Sequence, residues 1–445
     1  MDVQLAIWLG LLGALATFAI GSPRTASPLT LSYFLGLSLI HVPGVLPFLY
    51  GQPGPADFER TRVGFELTII GMSAFVCGAI AARALFQPRA PGTAHEVAPT
   101  TTLAFERLGW RASWIGVGAY FGLVPLAATL PSATSIVSSL ATLLILGLWM
   151  VLYGASRSGD HRAVFMVIAV LPILPLSTLV LGGFLGYGIY WVISVVAFFV
   201  VLLHKRILVY LAAPIVIFIG LSVFVTYIGQ RDALREMIWY EQSTIFDRVA
   251  RVFNLFADFE HLDLSNPAHV AALEGRLNQN ELVGAAVEAH DSGVYDYALG
   301  GTVPFWALIP RAVWPDKPEV GGSGSLVSTF TGIEFGRGTS VGIGQVMEFY
   351  VNFGPSGVLL GFGGLGLLLM QLDREIMRGL ASGDIRRVLP SAMPGLGLLQ
   401  PGGSLLEILV TVVSAVLVSR LLLAAGVFAP RLRGIGGYAA RPSAR

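Results

Sequence analysis

Residues 207–228 read ILVYLAAPIVIFIGLSVFVTYI, an unbroken apolar run. His204, Lys205 and Arg206 precede it, and Gly229-Gln230-Arg231-Asp232 follows it. A run of about 20 apolar residues matches the hydrocarbon thickness of a bilayer. In hydrocarbon every backbone N–H and C=O must be satisfied within the segment, so such a run is a helix. A membrane β-barrel strand would alternate apolar and polar residues, and this run does not.

The same pattern recurs through the chain. Candidate spans are Leu5–Ile20, Leu29–Tyr50, Phe65–Phe86, Trp110–Leu130, Ile136–Gly154, Ala163–Gly182, Phe184–Leu203 and Ile207–Ile228, then Met347–Leu372 and Leu405–Phe428. Leu389–Gln400 is a short apolar segment that Pro390, Pro394, Pro401 and Gly402-Gly403 mark as a broken helix. The expected fold is an all-α polytopic membrane protein of about ten or eleven transmembrane helices. Its 445 residues are 54% hydrophobic and 12% charged, about half the charge of a soluble domain. The start, Met1-Asp2-Val3-Gln4, lacks a basic n-region, so the first run reads as a retained helix. The single cysteine, Cys77, excludes an intrachain disulfide and a cysteine-based metal site. No basic cluster interleaved with aromatics points to nucleic acid.

Lys and Arg in short loops stay cytoplasmic. Arg83, Arg89, Arg107 and Arg111, then Arg157 and Arg162, then His204-Lys205-Arg206, then Arg374, Arg378, Arg386 and Arg387 fall on one side. The polar interval from Gly229 to Gln345 falls on the other. The division is therefore 1–228 (about eight spans), 229–345 (one large extracytoplasmic loop) and 346–445 (the last spans and a basic cytoplasmic tail). Within the loop, Phe246, Val249, Val252, Phe253 and Phe256 recur at helical spacing between charged residues, an amphipathic helix suited to a membrane surface. Asn266-Pro267 suits an N-cap and first position for a second helix reaching about Ala289.

Residues Pro304–Asn352 are the most informative stretch for chemistry, and further candidates lie upstream of it. Arg276, Arg311, Lys317 and Arg337 are the loop cations that stand out. Arg311 and Lys317 sit in Ile309-Pro310-Arg311-Ala312-Val313-Trp314-Pro315-Asp316-Lys317-Pro318, where three prolines remove backbone freedom. Guanidinium forks bind phosphate oxygens bidentately, and Lys binds as a point charge. The competing reading pairs these cations with Asp316, Glu319 and Glu334, or with lipid headgroups. Glu348, at the mouth of the ninth span, is the sharpest proton-acceptor candidate, since an acid at that depth is costly unless functional or paired. His290, beside Asp291, is a second. His41 either lines a cavity or satisfies a backbone carbonyl. Asp258, Glu260, His261 and Asp263 read better as a solvated face than as a metal site. The chain lacks a phosphate-binding Gly-rich loop with Lys, His-Glu-x-x-His and Gly-x-Ser-x-Gly. The first interhelical loop, Gly21–Thr30, carries no acid, which favours a cation-based, metal-free site.

Three segments, Gly300-Gly301-Thr302, Ile309–Pro318 and Glu348-Phe349-Tyr350-Val351-Asn352-Phe353-Gly354-Pro355-Ser356-Gly357, resemble bacterial Wzy-type oligosaccharide repeat-unit polymerases of O-antigen and exopolysaccharide synthesis. The shared pattern is a glycine pair, I-P-R-x-x-W-P-x-K-P, and E-x-Y-x-N-F-G-x-x-G opening a membrane helix. The family commonly has Gly before the acid of the last motif; Met347 stands there in this chain. The resemblance implies a GT-C-like helical fold in the bacterial cytoplasmic (inner) membrane and glycosyl transfer on its outer, periplasmic face. Undecaprenyl-diphosphate-linked oligosaccharides would be both donor and acceptor, without metal or other cofactor. A chain-length regulator is the expected protein partner. Arg276, Arg311 and Arg337 would stabilise the diphosphate, with Lys317 in support. Glu348 would lead as base with His290 behind it, and Trp306, Trp314 and Tyr350 would stack on sugars or seat the polyprenyl chain. An O-antigen ligase shares the loop and cations. A lipid-linked oligosaccharide flippase ranks lower, because transporters show paired broken helices and the sequence marks only one late break.

Overall fold

A computed structural model describes residues 1–20, 26–50, 53–85, 99–127, 131–203, 206–239, 243–257, 259–304, 306, 309, 313–314, 316, 323–335 and 341–428. No strand occurs among them. The helices are α1 (Asp2–Ala19), α2 (Pro28–His41), α3 (Leu46–Leu49), α4 (Phe58–Leu85), α5 (Pro99–Gly118), α6 (Val124–Ala127), α7 (Pro131–Ala141), α8 (Leu143–Ser158), α9 (His161–Val170), α10 (Ile173–Gly182), α11 (Gly186–Leu202) and α12 (Arg206–Trp239). After them come α13 (Ile245–Ala257), α14 (Pro267–Leu277), α15 (Gln279–Asp291), α16 (Ser323–Thr331), α17 (Gln345–Ser382), α18 (Ile385–Gly397) and α19 (Leu405–Ala424). Among the described residues, eight helical stretches are long and apolar enough to cross a membrane, and α11 is apolar but shorter. The chain is a polytopic helical membrane protein.

The core lies between α2, α4, α8, α11, α17 and α18, where Tyr33, Phe34, Phe75, Trp149, Phe198 and Phe362 are fully buried. Large apolar side chains on α12, including Ile215, Val216, Ile217 and Ile219, remain exposed on its first half. That surface suits lipid rather than water. The stacked pairs Tyr33–Phe75 and Trp149–Phe198 fix neighbouring helices at ring separations of 5.1 and 4.7 Å.

Four expectations need correction. The eighth candidate span does not stop at Ile228. Helix α12 continues to Trp239, because α13 folds back on it and buries Leu234 with Val252 and Leu255. Asn266 does cap α14, accepting from Ala268 N at 2.9 Å, but the helix ends at Leu277 and α15 begins anew at Gln279. Helix α18 runs through Pro390 and Pro394, so the late break lies at 398–404 and not at those prolines.

The fourth correction concerns the ninth span, which the sequence shows as one run. It is folded in two at Gly354, whose φ of 67° and ψ of −160° interrupt α17 before Pro355. In a straight helix Phe349 and Gly361 would stand about 18 Å apart. Here a Cβ on Gly361 would lie 2.7 Å from the Phe349 ring, and one on Gly357 would lie 2.5 Å from Phe349 O. The rings of Phe349 and Phe362 meet at 5.6 Å. A short arm, residues 345–353, therefore packs antiparallel against the start of the long arm, with two phenylalanines over two glycines. The start of this arm lies deep in the bundle, where Tyr33 on α2 donates to Gln345 Oε1 at 2.5 Å.

Candidate functional site

Three interrupted helices begin at nearly the same place inside the bundle. Gln279, the first residue of α15, donates from Nε2 to Gly342 O at 2.8 Å, just before the short arm. Gln345 N at the start of that arm donates to Pro401 O at 3.1 Å, in the turn before α19. Leu405 N, the first residue of α19, donates to Glu348 Oε2 at 2.5 Å. Helix starts carry unsatisfied N–H groups and partial positive charge. This field is what makes a fully buried acid tolerable here: Glu348 is 0% exposed.

Glu348 is held on both oxygens. Thr302 donates from Oγ1 to Oε1 at 2.9 Å, and Leu405 N serves Oε2. Asn352, one turn along the arm, donates from Nδ2 to Thr302 Oγ1 and to Glu348 O, each at 2.7 Å. Its Oδ1 accepts from Gly300 N at 2.9 Å. Ala298 N and Leu299 N then donate to the carbonyls of Val351 and Asn352 at 2.9 and 3.0 Å. Those carbonyls are the orphan acceptors at the end of the short arm, just where Gly354 stops it. Turning segment 298–300 to meet them places both Leu299, at φ 48°, and Gly300, at φ 90°, in the left-handed region. The segments Gly300–Thr302 and Glu348–Gly354, far apart in sequence, are thus one hydrogen-bonded unit.

Beside this unit lies an aromatic cluster. His290, near the end of α15, stacks on Tyr297 at 4.2 Å and 15°, and meets the Tyr295 and Tyr350 rings at 5.5 and 6.2 Å. Its Nδ1 is 3.5 Å from Asp291 Oδ1. The His290 side chain keeps 25% exposure, so a solvent-side group can reach it. Tyr295 and Tyr297 were not singled out in the sequence; a short Tyr-x-Tyr spacing before the glycine pair is the signal that marks them. Burial pushes the Tyr295 phenol above the usual tyrosine range, followed by the neighbouring Tyr297 and Asp291.

The structure separates Arg276 from these groups. Arg276 sits at the last turn of α14, exposed. Partial desolvation of its inner side first, and then the charge of Arg231, hold its guanidinium below the usual arginine range. Helix α15 alone, from Gln279 to Asp291, puts about 18 Å between this end and His290. Trp306 and Trp314 are exposed. Arg311, Lys317 and Arg337 lie outside the described residues. His41 is buried in a network of its own: its Nδ1 is 2.7 Å from Asn280 Oδ1, and Asn280 Nδ2 donates to His41 O at 2.7 Å. Of the two readings of His41, the structure supports the structural one, because this network ties α2 to α15. Glu260 and His269 pair at 2.8 Å.

No family model, curated protein or solved structure matches this chain.

Proposed function

We propose that the protein polymerises polyprenyl-diphosphate-linked oligosaccharide repeat units by glycosyl transfer at the outer face of the bacterial cytoplasmic membrane. The observation that carries this reading is the union of Gly300–Thr302 with Glu348–Gly354. Two of the three segments that resemble the polymerase pattern are one folded unit within a helical membrane bundle, next to a partly buried histidine among tyrosines. Aromatic faces suit sugar rings, and the loop cations suit a diphosphate.

In this reaction the acceptor hydroxyl oxygen bonds to the anomeric carbon of the donor glycan. The bond from that carbon to the diphosphate oxygen breaks, and its electron pair leaves with the polyprenyl diphosphate. The hydroxyl proton passes to a base. A base must lie within hydrogen-bond reach of that hydroxyl. The His290 side chain is only partly buried, whereas Glu348 is closed off and engaged on both oxygens. We therefore give His290 the proton and Glu348 the task of holding the glycine-pair segment and the start of α19. Arg311 and Arg337, with Lys317, hold the diphosphates, Arg276 stands apart from them at the end of α14, and Trp306, Trp314 and Tyr350 contact sugar or polyprenyl chain. The test is chain-length distribution of surface polysaccharide in cells carrying Arg311→Ala or His290→Gln at normal protein level. Persistence of long chains in both variants would overturn the proposal.

A second reading, transport of the lipid-linked oligosaccharide, has one specific observation behind it. Helices are interrupted at Gly354 and at 398–404, and the start of the short arm meets the second interruption through Gln345 N and Pro401 O. Discontinuous helices meeting inside the bundle are the usual form of a transport site. Single repeat units trapped on the inner face in a deletion strain would favour it; single units exposed on the outer face would favour polymerisation.

A further inference from the structure

The interruption at 398–404 carries a glycine pair, Gly402-Gly403, just before α19. A Cβ on Gly402 would stand 3.9 Å from the Tyr190 hydroxyl, 3.9 Å from Gln279 Nε2 and 3.8 Å from Ile40 Cδ1. One on Gly403 would stand 3.4 Å from Glu407 Oε2. Bare itself and flanked by these side chains, the pair is the floor of a recess. Tyr187 lies three residues before Tyr190 on α11, hence on the same face, and is 59% exposed. Both glycines and Tyr190 are half-buried and Glu407 is exposed, so the recess is open.

The polar groups around it have hydrogen-bonding capacity left over. Glu407 closes the capping box of α19 with Oε2, which accepts from Ser404 N at 3.2 Å. Its Oε1 lies 3.4 Å from Ser323 Oγ, long for such a bond, and among the described residues no cation pairs with this carboxylate. An ionised carboxylate accepts at several positions, so Oε1 can take a ligand hydroxyl as well. No hydrogen bond among the described residues holds the Tyr190 hydroxyl. Gln279 uses one amide N–H on Gly342 O and keeps a second. Tyrosine faces pack on the C–H face of a sugar ring, while carboxylate, phenol and amide serve its hydroxyls. The unpaired carboxylate disfavours a phosphate, and the glycine floor lets a flat ring approach the backbone.

We infer that Gly402-Gly403, Tyr187, Tyr190 and Glu407 form a binding subsite for an uncharged sugar ring of an oligosaccharide. The inference rests on the proposed function only for the identity of that oligosaccharide as a repeat unit. The subsite adjoins the Glu348 unit, because Leu405, two residues past Gly403, donates to Glu348. Helix α16 links it to the histidine cluster: Ser323 at its start meets Glu407, and Phe330 near its end packs on Tyr295 at 4.9 Å.

The test uses the full chain in phosphatidylcholine nanodiscs, probed with an array of bacterial oligosaccharides and, separately, with inorganic diphosphate. The strongest array binder is then titrated by calorimetry. Gly402→Ala is the sharpest variant: a methyl there meets only ordinary van der Waals neighbours, so the fold accepts it, whereas a sugar ring on the floor does not. It should leave the probe-free thermal midpoint unchanged and weaken oligosaccharide binding by roughly tenfold or more. Glu407→Gln retains a capping box, since Gln serves at that position, but sets an NH2 where the recess offered an acceptor. It should weaken binding by roughly fivefold to tenfold, the worth of one hydrogen bond, at an unchanged midpoint. Tyr187→Ala, at an exposed position, should weaken binding too, and it decides the matter should Gly402→Ala fail to fold. Three outcomes would overturn the inference: no oligosaccharide bound, equal oligosaccharide affinity in the variants and the unaltered protein, or diphosphate binding that Glu407→Gln strengthens. Polysaccharide chain length in cells reads the proposed function separately. Variant-sensitive oligosaccharide binding in a protein that makes no polymer would sink the polymerase and leave the subsite standing; polymer made by a protein whose variants all bind equally would do the reverse.

Discussion

Glu348 Oε2 accepts the backbone N–H of Leu405 at 2.5 Å, so an acid on one broken helix caps the start of another. With Thr302 on its other oxygen, this carboxylate joins the glycine-pair segment, the short arm of α17 and α19. Replacing it with Gln keeps the shape but turns one acceptor into an NH2 that faces a donor. Leaving a buried donor unsatisfied costs about 1–3 kcal/mol. Glu348→Gln should therefore lower the thermal midpoint of the purified protein, and Thr302→Val should lower it by a similar route. A Glu348→Gln protein of unaltered stability that makes no polymer would return Glu348 to the role of base.

The reversal at Gly354 depends on a left-handed φ of 67°, and a Cβ there would stand 2.9 Å from the Tyr297 ring. Gly354→Ala should destabilise the fold by about 1–3 kcal/mol, from backbone strain alone. Reduced accumulation in membranes and faster proteolysis at 298–304 are the expected signs. Equal accumulation and protease resistance would show that the chain does not need this reversal.

Helix α15 is docked on α4 without room to spare: a Cβ on Gly284 would sit 1.9 Å from Arg60 O. Nearby, Arg60 Nε and Glu288 Oε2 pair at 2.6 Å on the surface. The two contacts should respond very differently. Gly284→Val must push α15 off α4 and disturb the His41–Asn280 network, whereas Glu288→Gln should change stability by less than about 1 kcal/mol, as exposed ion pairs do. Comparing the thermal midpoints of the two variants checks this order.

At the opposite end of the bundle, Asp373 on α17 accepts from Leu29 N at 2.8 Å, Thr30 N at 3.0 Å and Thr30 Oγ1 at 2.7 Å. It caps α2 from another helix, a role the sequence did not reveal. Asp373→Ala would strand these donors in a fully buried site and should cost several times what a surface acid costs on removal. Asp384→Ala, at the cap of α18, serves as the comparison.

Sidedness has a direct check. Val313 is exposed beside Trp314, and Cys77 is the single native cysteine. In a Cys77→Ser background, Val313→Cys should react with a membrane-impermeant maleimide in intact spheroplasts. Labelling only after lysis would place the loop on the cytoplasmic side and remove the proposed chemistry.

Composition and apolar run length alone fix the helical membrane class, because a backbone in hydrocarbon has no other way to satisfy its polar groups over such lengths. Local signals of the same kind gave the Asn266 cap and the amphipathic α13, since both depend on neighbours a few residues away. The fold-back of α17 was beyond such reading. Phe349-x-x-x-Phe353 and Gly357-x-x-x-Gly361 each look like one face of a continuous helix, and only their packing against each other shows that the helix is two. The same holds for Arg231, which reads as an ordinary charge after a span until α13 and α14 bury it. Hydropathy follows from each residue's own side chain, but the environment of a charge is set by segments that are distant in sequence and adjacent in space.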